Sequence, residues 1–307
     1  MEKFIYNGNN AARILKAADG VSGLSYGRLA GLLRRGEIRV NGKKVYENVT
    51  VKKGDEITVF ASAPKLPVVY EDENILAVYK RKGIKSDGDD GFEGEVKRGG
   101  YENAALRRML GNNTDTEEGE VRRGGYENAA LCHRLDTNTD GIVIFAKNAD
   151  AEIEIFRAFK EHKIEKKYLA LVFGDFKADG LQTAYLHKDK DDGVAVVCAG
   201  YSKGAERIET RFLTLERFEN LNLSLLDITL VTGKTHQIRA HLKHLGCFVL
   251  GDGKYGAEKI NRRFGIAKQQ LTAYAIKFSF AEDGKLKYLN GKNIALENPR
   301  SFIKIPK

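Results

Sequence analysis

Two stretches hold residues whose types and spacing could do chemistry. In CHRLDTNTDG, residues 132–141, Asp136 stands between an Arg–Leu pair and a polar turn, just before the apolar run IVIFAK. It reads either as an ordinary loop residue or as a carboxylate held out for reaction. In TGKTHQIRAHLKHLG, residues 232–246, Thr235 is placed to cap a helix that stops at Gly246. Ile238, Leu242 and Leu245 make its apolar face, while His236, Arg239 and Lys243 fall on another side at i, i+3, i+7. A strand thus feeds a short helix whose first turns present a His and an Arg. A surface helix with solvated cations is the plainer alternative.

Other chemistries find less support. His241, His244 and Cys247 could share a helix face, but no second cluster supplies a fourth ligand and Gly246 ends the helix first. A zinc site, or a metal-dependent hydrolase using His241 and His244, is therefore not the expectation. GDGKYG (251–256) has glycines but lacks the Lys-Ser/Thr and the strand–helix setting of a phosphate loop. Cys132 adjoins His133, yet a thiol–imidazole pair normally comes from distant parts of a chain, so Cys132 reads as a packing residue.

The elements that must position these residues follow from periodicity. Ala11, Ile14, Leu15 and Ala18 recur at helical spacing, and SYGRLAGLLRRGE reads as a second short helix capped by Ser25 and stopped by Gly36. IRVNGKKV is a strand, an Asn-Gly turn and a strand, and VTVKKGDEITVF adds another turn and strand. Arg28, Arg34, Arg35, Arg39, Lys43 and Lys44 cluster there, which makes residues 1–62 a compact basic module suited to nucleic acid. ASAPKLP (61–67) is the expected linker. From residue 68 to 307 strands dominate: ENILAVYK, IVIFA, YLALVFG, GVAVVC, ETRFLTL and LSLLDITLV, with a helix through Ala149, Ile153, Phe156 and Lys160. Strands clustered with few helices predict an α+β fold with a large, mainly antiparallel sheet. EGEVKRGGYENAAL (93–106) returns as EGEVRRGGYENAAL (118–131), differing only at Lys97/Arg122. The copy before CHRLD is expected to hold the original position and the extra one to be peripheral.

The 307-residue chain has 51 Lys and Arg against 42 Asp and Glu, a formal net charge of +9, and only three cysteines. The excess favours a polyanionic partner. It is segregated: residues 1–60 hold 11 basic and 6 acidic residues, whereas residues 86–131 hold 6 and 11. No stretch is apolar enough for a membrane span, and MEKFIYNGNN shows no secretory signal. The cysteine usage suits a reducing cytoplasm, and a monomer is the default.

HRLDTNTDG is similar to the His-Arg-Leu-Asp-x-x-Thr-Ser-Gly signature of the RluA-type pseudouridine synthases. VVYEDENILAVYKRKGI, KKYLALVFG (166–174), LVTGKTHQIRAHLKHLGCFVLGDGKYG and LTAYAIKFSF resemble that family's further motifs, in order, over most of residues 68–280. RLAGLLRRGEIRVNGKKV and KKGDEITV resemble the S-four type RNA-binding domain that often precedes it. The resemblance implies cofactor-independent isomerisation of uridine in RNA. It makes Asp136 the catalytic carboxylate, acting as nucleophile or base, with Arg239 as its ion-pair partner and Tyr168 stacking on the target base and helping to remove the proton at ring carbon five. The target must be flipped out of folded RNA, with Arg134 filling its place. His133 shapes the loop or contacts RNA, and His236 lies on the RNA path. Large-subunit ribosomal RNA is the expected substrate. Transfer RNA, or a catalytically silent RNA-binding assembly factor, are the alternatives.

Three departures from the family pattern stand out. Asp140 replaces a serine, and could raise the pKa of Asp136 or face solvent. Lys80-Arg81-Lys82-Gly83 replaces Lys-Pro-x-Gly and is expected to add charge beside the RNA path. Lys234 stands where Arg is commoner, which keeps charge but not bidentate reach.

Overall fold

The structure, a computed structural model, describes residues 2–8, 10–19, 26–60, 67–89, 91–98, 126, 128–188, 194–280 and 284–306. Ser25, most of the linker, residues 99–125 and the side chain of Arg28 lie outside them, so the roles read for these are not addressed.

Residues 2–60 form a unit with its own core. Strands β1 (Glu2–Ile5), β6 (Glu56–Val59), β3 (Ile38–Val40) and β4 (Lys43–Val45) make an antiparallel sheet in that order. β2 (Ala12–Arg13) pairs with β5 (Thr50–Val51). The β3–β4 turn is the expected Asn41-Gly42, with both residues at positive φ, as the twist of a two-residue hairpin requires. Helices α1 (Ile14–Asp19) and α2 (Tyr26–Arg34) bury Ile14, Leu15, Leu29, Leu32 and Leu33 against Ile38, Val51, Ile57 and Val59. The sequence reading missed β1, whose pairing to β6 spans the whole unit, and it began the first helix at Ala11, three residues early.

The remainder is built on one large sheet. Its main path runs β13 (Ala195–Cys198), β12 (Gly180–Lys188), β14 (Glu206–Phe218), β15 (Leu223–Leu230), β11 (Ile164–Phe173), β17 (Leu271–Phe278), β10 (Asp140–Ala146), β8 (Ile75–Lys80) and β7 (Val68–Glu71). β9 (Ala130–Leu131), β16 (Phe248–Val249) and β18 (Asn293–Ala295) attach beside it. Its pairings are antiparallel except β10 with β17, in keeping with the α+β expectation.

Every described side chain of β8 and β10 is buried, so these strands are covered on both faces. Alternation then sorts residues between two cores. Leu76, Val78, Val143 and Phe145 join one core with Leu135, Tyr168, Ile238 and Leu271. Ile75, Ala77, Ile142 and Ile144 join the other, beneath helix α4 (Ala149–Lys160) with Ala151, Ile155 and Ala158. Asn148 caps α4 by accepting from Ala151 N.

The repeat departs from expectation. The first copy is not peripheral at its front: it forms helix α3 (Phe92–Arg98), and Phe92 and Val96 are fully buried in the main core. The second copy supplies the rear. Ala129 is buried and Leu131 pairs with Phe145, while Tyr126 hydrogen-bonds Glu71 and lies under the Lys147 ammonium. The reason is readable one residue before the repeat: Phe92 precedes the first copy and Glu117 the second, and a charged side chain cannot fill that apolar site.

Candidate active site

Asp136 sits in the loop between β9 and β10, and this loop is braced from all sides. Ser86 Oγ donates to Leu135 O (2.7 Å) and accepts from Leu135 N (2.9 Å). The fully buried Lys80 donates from Nζ to Ile84 O (2.8 Å), Asp136 O (3.1 Å) and Thr137 O (3.3 Å). Burial pulls the Lys80 ammonium down to about 8, against the pull of Asp140 and Asp136. Gln269 donates to Thr139 Oγ1. Gly141, at φ +125°, lies where β10 meets β17, and a Cβ there would fall 2.1 Å from Ala273 O.

The cation comes from helix α5 (Gln237–His244). Arg239 Nη1 donates to Asp136 Oδ2 at 2.7 Å. The same guanidinium donates from Nε (2.6 Å) and Nη2 (2.9 Å) to the fully buried carboxylate of Asp252 and lies against the Tyr255 ring. Burial disfavours the Arg239 charge, but Asp252 and then Asp136 outweigh it and hold its pKa above the ordinary value. Burial likewise opposes ionisation of Asp252, and Arg239 overcomes it, keeping that carboxyl low. Asp136 Oδ1 takes no hydrogen bond among the described residues.

Thr235 is not the cap of α5. His236 occupies that position at φ 57°, without a side-chain cap bond. Gln237 does the bracing, accepting from Lys234 N and Thr232 Oγ1 and donating to Glu209 O and Thr210 Oγ1. The far end follows the sequence reading: Gly246 is left-handed, its N–H donates to Lys243 O and Cys247 N donates to Leu242 O. His236 Nδ1 meets the Tyr255 hydroxyl at 2.9 Å, and Nε2 lies 4.0 Å from Asp136 Oδ2. Burial, outweighing Asp136, lowers the His236 pKa.

Tyr168, on β11, is 5% exposed and lines the same cavity as Asp136, Lys166, Gly233 and Arg239. Burial first, and Asp136 second, push its phenol up, so it stays protonated. This cavity is small, about 80 Å³, and shares its lining with a wider groove that runs past His133, Arg134, Lys160 and Thr235.

The other sequence candidates divide. Arg134 is exposed and pairs with Asp87 at 2.9 Å. His133 lines the groove but offers it no free nitrogen: Nε2 accepts from Ile144 N and Nδ1 is buried. Burial, helped by Lys166, drops its pKa to about 3, so in this structure it braces the loop. In the N-terminal unit Arg34, Arg35, Lys43 and Lys44 are exposed. Arg35 forks onto Glu37, and Arg39 is partly buried over the Phe60 ring. His241 is buried against Thr210 Oγ1 and the Phe212 edge. Among the described residues no three His, Cys, Asp or Glu side chains gather as a metal set.

The structure places two of the departures. Asp140 does not face solvent. Its Oδ2 accepts from Tyr79 and its Oδ1 from Thr272, both at 2.7 Å, with Lys82 Nζ at 3.6 Å. Burial raises its pKa against those partners. Lys80 and Lys82 are turned inward as well, whereas Arg81, in the place of the proline, is exposed. Lys82, at the variable position of that motif, is the charge complement of Asp140. Asp252 escaped the sequence reading, although it lies inside GDGKYG. Its usable signal was Gly251, where a Cβ would meet Lys268 O at 2.1 Å: a glycine turn forced by close packing, followed by an acid.

Comparison with known proteins agrees with this geometry. Residues 74–244 match the family described as RNA pseudouridylate synthase. An uncharacterized RNA pseudouridine synthase of Mycoplasma genitalium is 32% identical over 85% of this chain and 84% of its own. Ribosomal large subunit pseudouridine synthase C of Rickettsia bellii is 30% identical over 77% of this chain and 80% of its own. Two human structures share the fold: RNA pseudouridylate synthase domain containing 1 (TM-score 0.52, 24% identity, 73% of this chain and 82% of that one) and domain containing 4 (0.54, 21%, 78% and 95%). With a family match over residues 74–244, which include Asp136, Tyr168 and Arg239, and relatives aligned over most of its length, the chain belongs to the RNA pseudouridine synthases and is an isomerase acting on RNA.

Proposed function

We propose that this enzyme isomerises uridine in large-subunit ribosomal RNA, with Asp136 as the reacting carboxylate. One observation carries the reading: an Asp136 carboxylate with one oxygen on Arg239 and the other unclaimed, in a cavity walled by the neutral Tyr168 phenol. The C1′–N1 bond of uridine breaks, the uracil turns, C1′ bonds to ring carbon five, and the proton lost there is balanced by one gained at N1. No atom is added and no electron leaves. A carboxylate held in place by a guanidinium, with one oxygen left unclaimed, suits the nucleophile or base this needs. Tyr168 packs on the base and its protonated hydroxyl can donate to it. The large-subunit assignment follows the name of the Rickettsia relative. The exposed cations of residues 1–62 support an S-four type RNA-binding role for that unit, with 68–307 as the catalytic domain, monomeric and cytoplasmic.

The test is pseudouridine mapping of total RNA from cells lacking the gene, complemented by wild type or Asp136→Asn. A large-subunit position restored only by wild type is expected. Restoration by Asp136→Asn would remove Asp136 from the chemistry. A lost position in transfer RNA would move the substrate.

A further inference from the structure

Three of the six Lys and Arg side chains lining the cavity and groove have a carboxylate: Arg239 holds two, Arg134 has Asp87, and Lys234 has Glu206. Lys85 and Lys160 are exposed to solvent. Lys166 is the partly buried one without a carboxylate. Its ammonium lies 5.4 Å from the centre of the Phe159 ring and has neither hydrogen bond nor ion pair among the described residues. It stands on the same face of β11 as Tyr168, two residues along. Gly233 makes room for it, since a Cβ there would come within 2.9 Å of Nζ. Lys166 lines both the Asp136 cavity and the groove that leads out of it.

We propose that Lys166 is a substrate-positioning residue whose ammonium binds the backbone phosphate beside the uridine that enters the Asp136 cavity. This rests on the reading that the cavity takes a uridine. A nucleotide with its base in the cavity and its chain in the groove must pass its backbone across the seam, and Lys166 is at that seam. A half-buried ammonium facing only a ring is under-solvated, and a phosphate oxygen supplies the missing acceptor. Other charged or titratable groups line the same cavity and groove: Lys85 and Asp87, His133, Arg134 and Asp136 on the catalytic loop, Lys160 at the end of α4 and His162 after it, and Lys234, His236 and Arg239 around α5. The two acids in that set are occupied, Asp136 by Arg239 and Asp87 by Arg134.

Burial lowers the free Lys166 ammonium to about 8, and a bound phosphate raises it again. RNA affinity through this contact is therefore complete below about pH 8 and lost as pH rises. The measurement uses full-length wild type, Lys166→Arg and Lys166→Met, with an in vitro transcript of large-subunit ribosomal RNA as probe, from about pH 6.5 to about pH 9.5. Wild-type affinity is expected to fall across the alkaline half of that range. Lys166→Arg should bind without that fall, because a guanidinium stays charged. Lys166→Met should bind about tenfold more weakly at neutral pH, with a salt slope smaller by about one, and raise KM rather than lower kcat. Lys80 also sits at about 8, but its titration is common to all three proteins, so their difference reports Lys166. Identical pH dependence of wild type and Lys166→Arg overturns the proposal, as does wild-type affinity in a folded Lys166→Met. If Lys166→Met does not fold, the Arg comparison decides alone. Wild type that shows the expected pattern yet forms no pseudouridine overturns the functional reading while supporting the phosphate contact. Pseudouridine formation with a Lys166-independent pH pattern does the reverse.

Discussion

Arg239 grips Asp252 with two nitrogens and Asp136 with one, so the position of the Asp136 carboxylate is set by a second carboxylate buried behind it. Removing one partner of a buried ion pair leaves the other unpaired, at a cost of about 3–5 kcal/mol. Asp252→Asn is therefore expected to lower stability on that scale and kcat by at least about tenfold, with RNA affinity held. Urea unfolding and single-turnover kinetics check both. A kcat within twofold of wild type would mean that Arg239 holds Asp136 unaided.

Lys82 and Asp140 give a second, separable expectation. Their side chains are 11% and 7% exposed, and burial opposes the charge on each. Asp140→Ser alone strands the Lys82 ammonium, and Lys82→Met alone strands the Asp140 carboxylate. Each single change should cost a few kcal/mol, about 3. The double variant should recover most of it. Additive losses in a double-mutant cycle by urea unfolding would show that the two do not act as a pair.

Acid sensitivity should trace partly to the buried imidazoles. Burial drops His133 to about 3 and His241 to about 4. The unfolded chain protonates both near 6.5, so below that pH it binds more protons than the folded one. Stability is complete above about pH 6.5 and falls as pH drops, by up to about 1.4 kcal/mol per pH unit for each group, until the folded values are reached. Unfolding free energies of wild type and His241→Gln between about pH 4 and about pH 7 test this. The variant should show a shallower slope, and an unchanged slope would assign the acid sensitivity elsewhere.

The repeat offers a deletion. Excision of residues 99–123 joins Arg98 to Gly124 and regenerates one uninterrupted EGEVKRGGYENAAL. The joined chain keeps the Phe92–Arg98 helix and the Tyr126–Leu131 contacts that the core uses. It is expected to fold with a melting temperature within a few degrees of wild type and to retain pseudouridine formation. A chain that is insoluble, or folded and inactive, would give the 25 extra residues a role of their own.

Much of this site was readable in sequence because its pieces are local and ordered. Asp136 sits in one loop, Tyr168 on one strand and Arg239 on one helix, each marked by its own neighbours. What was unreadable depends on contacts between distant segments. Asp252 matters only because its carboxylate meets the rear of Arg239. Asp140 could not be told from a solvent-facing acid until Tyr79, Lys82 and Thr272 closed around it. Thr235 looked like a cap because capping is a local rule. The Gln237 side chain overrides that rule by reaching Glu209 and Thr210 on another strand. In the fold, the strand Glu2–Ile5 went unseen for the same reason, since its partner lies more than fifty residues away.

The doubled segment also has a history to come. Recombination between its two near-identical copies can delete or restore 25 residues in a single genetic event, without shifting the reading frame. Point mutations in one copy progressively close that route, and Lys97 against Arg122 is the one amino-acid difference between the copies. Isolates of the same lineage are therefore expected to differ in length at this locus while sharing the sequence on either side of it. Gene length across isolates would date the duplication better than any side chain does.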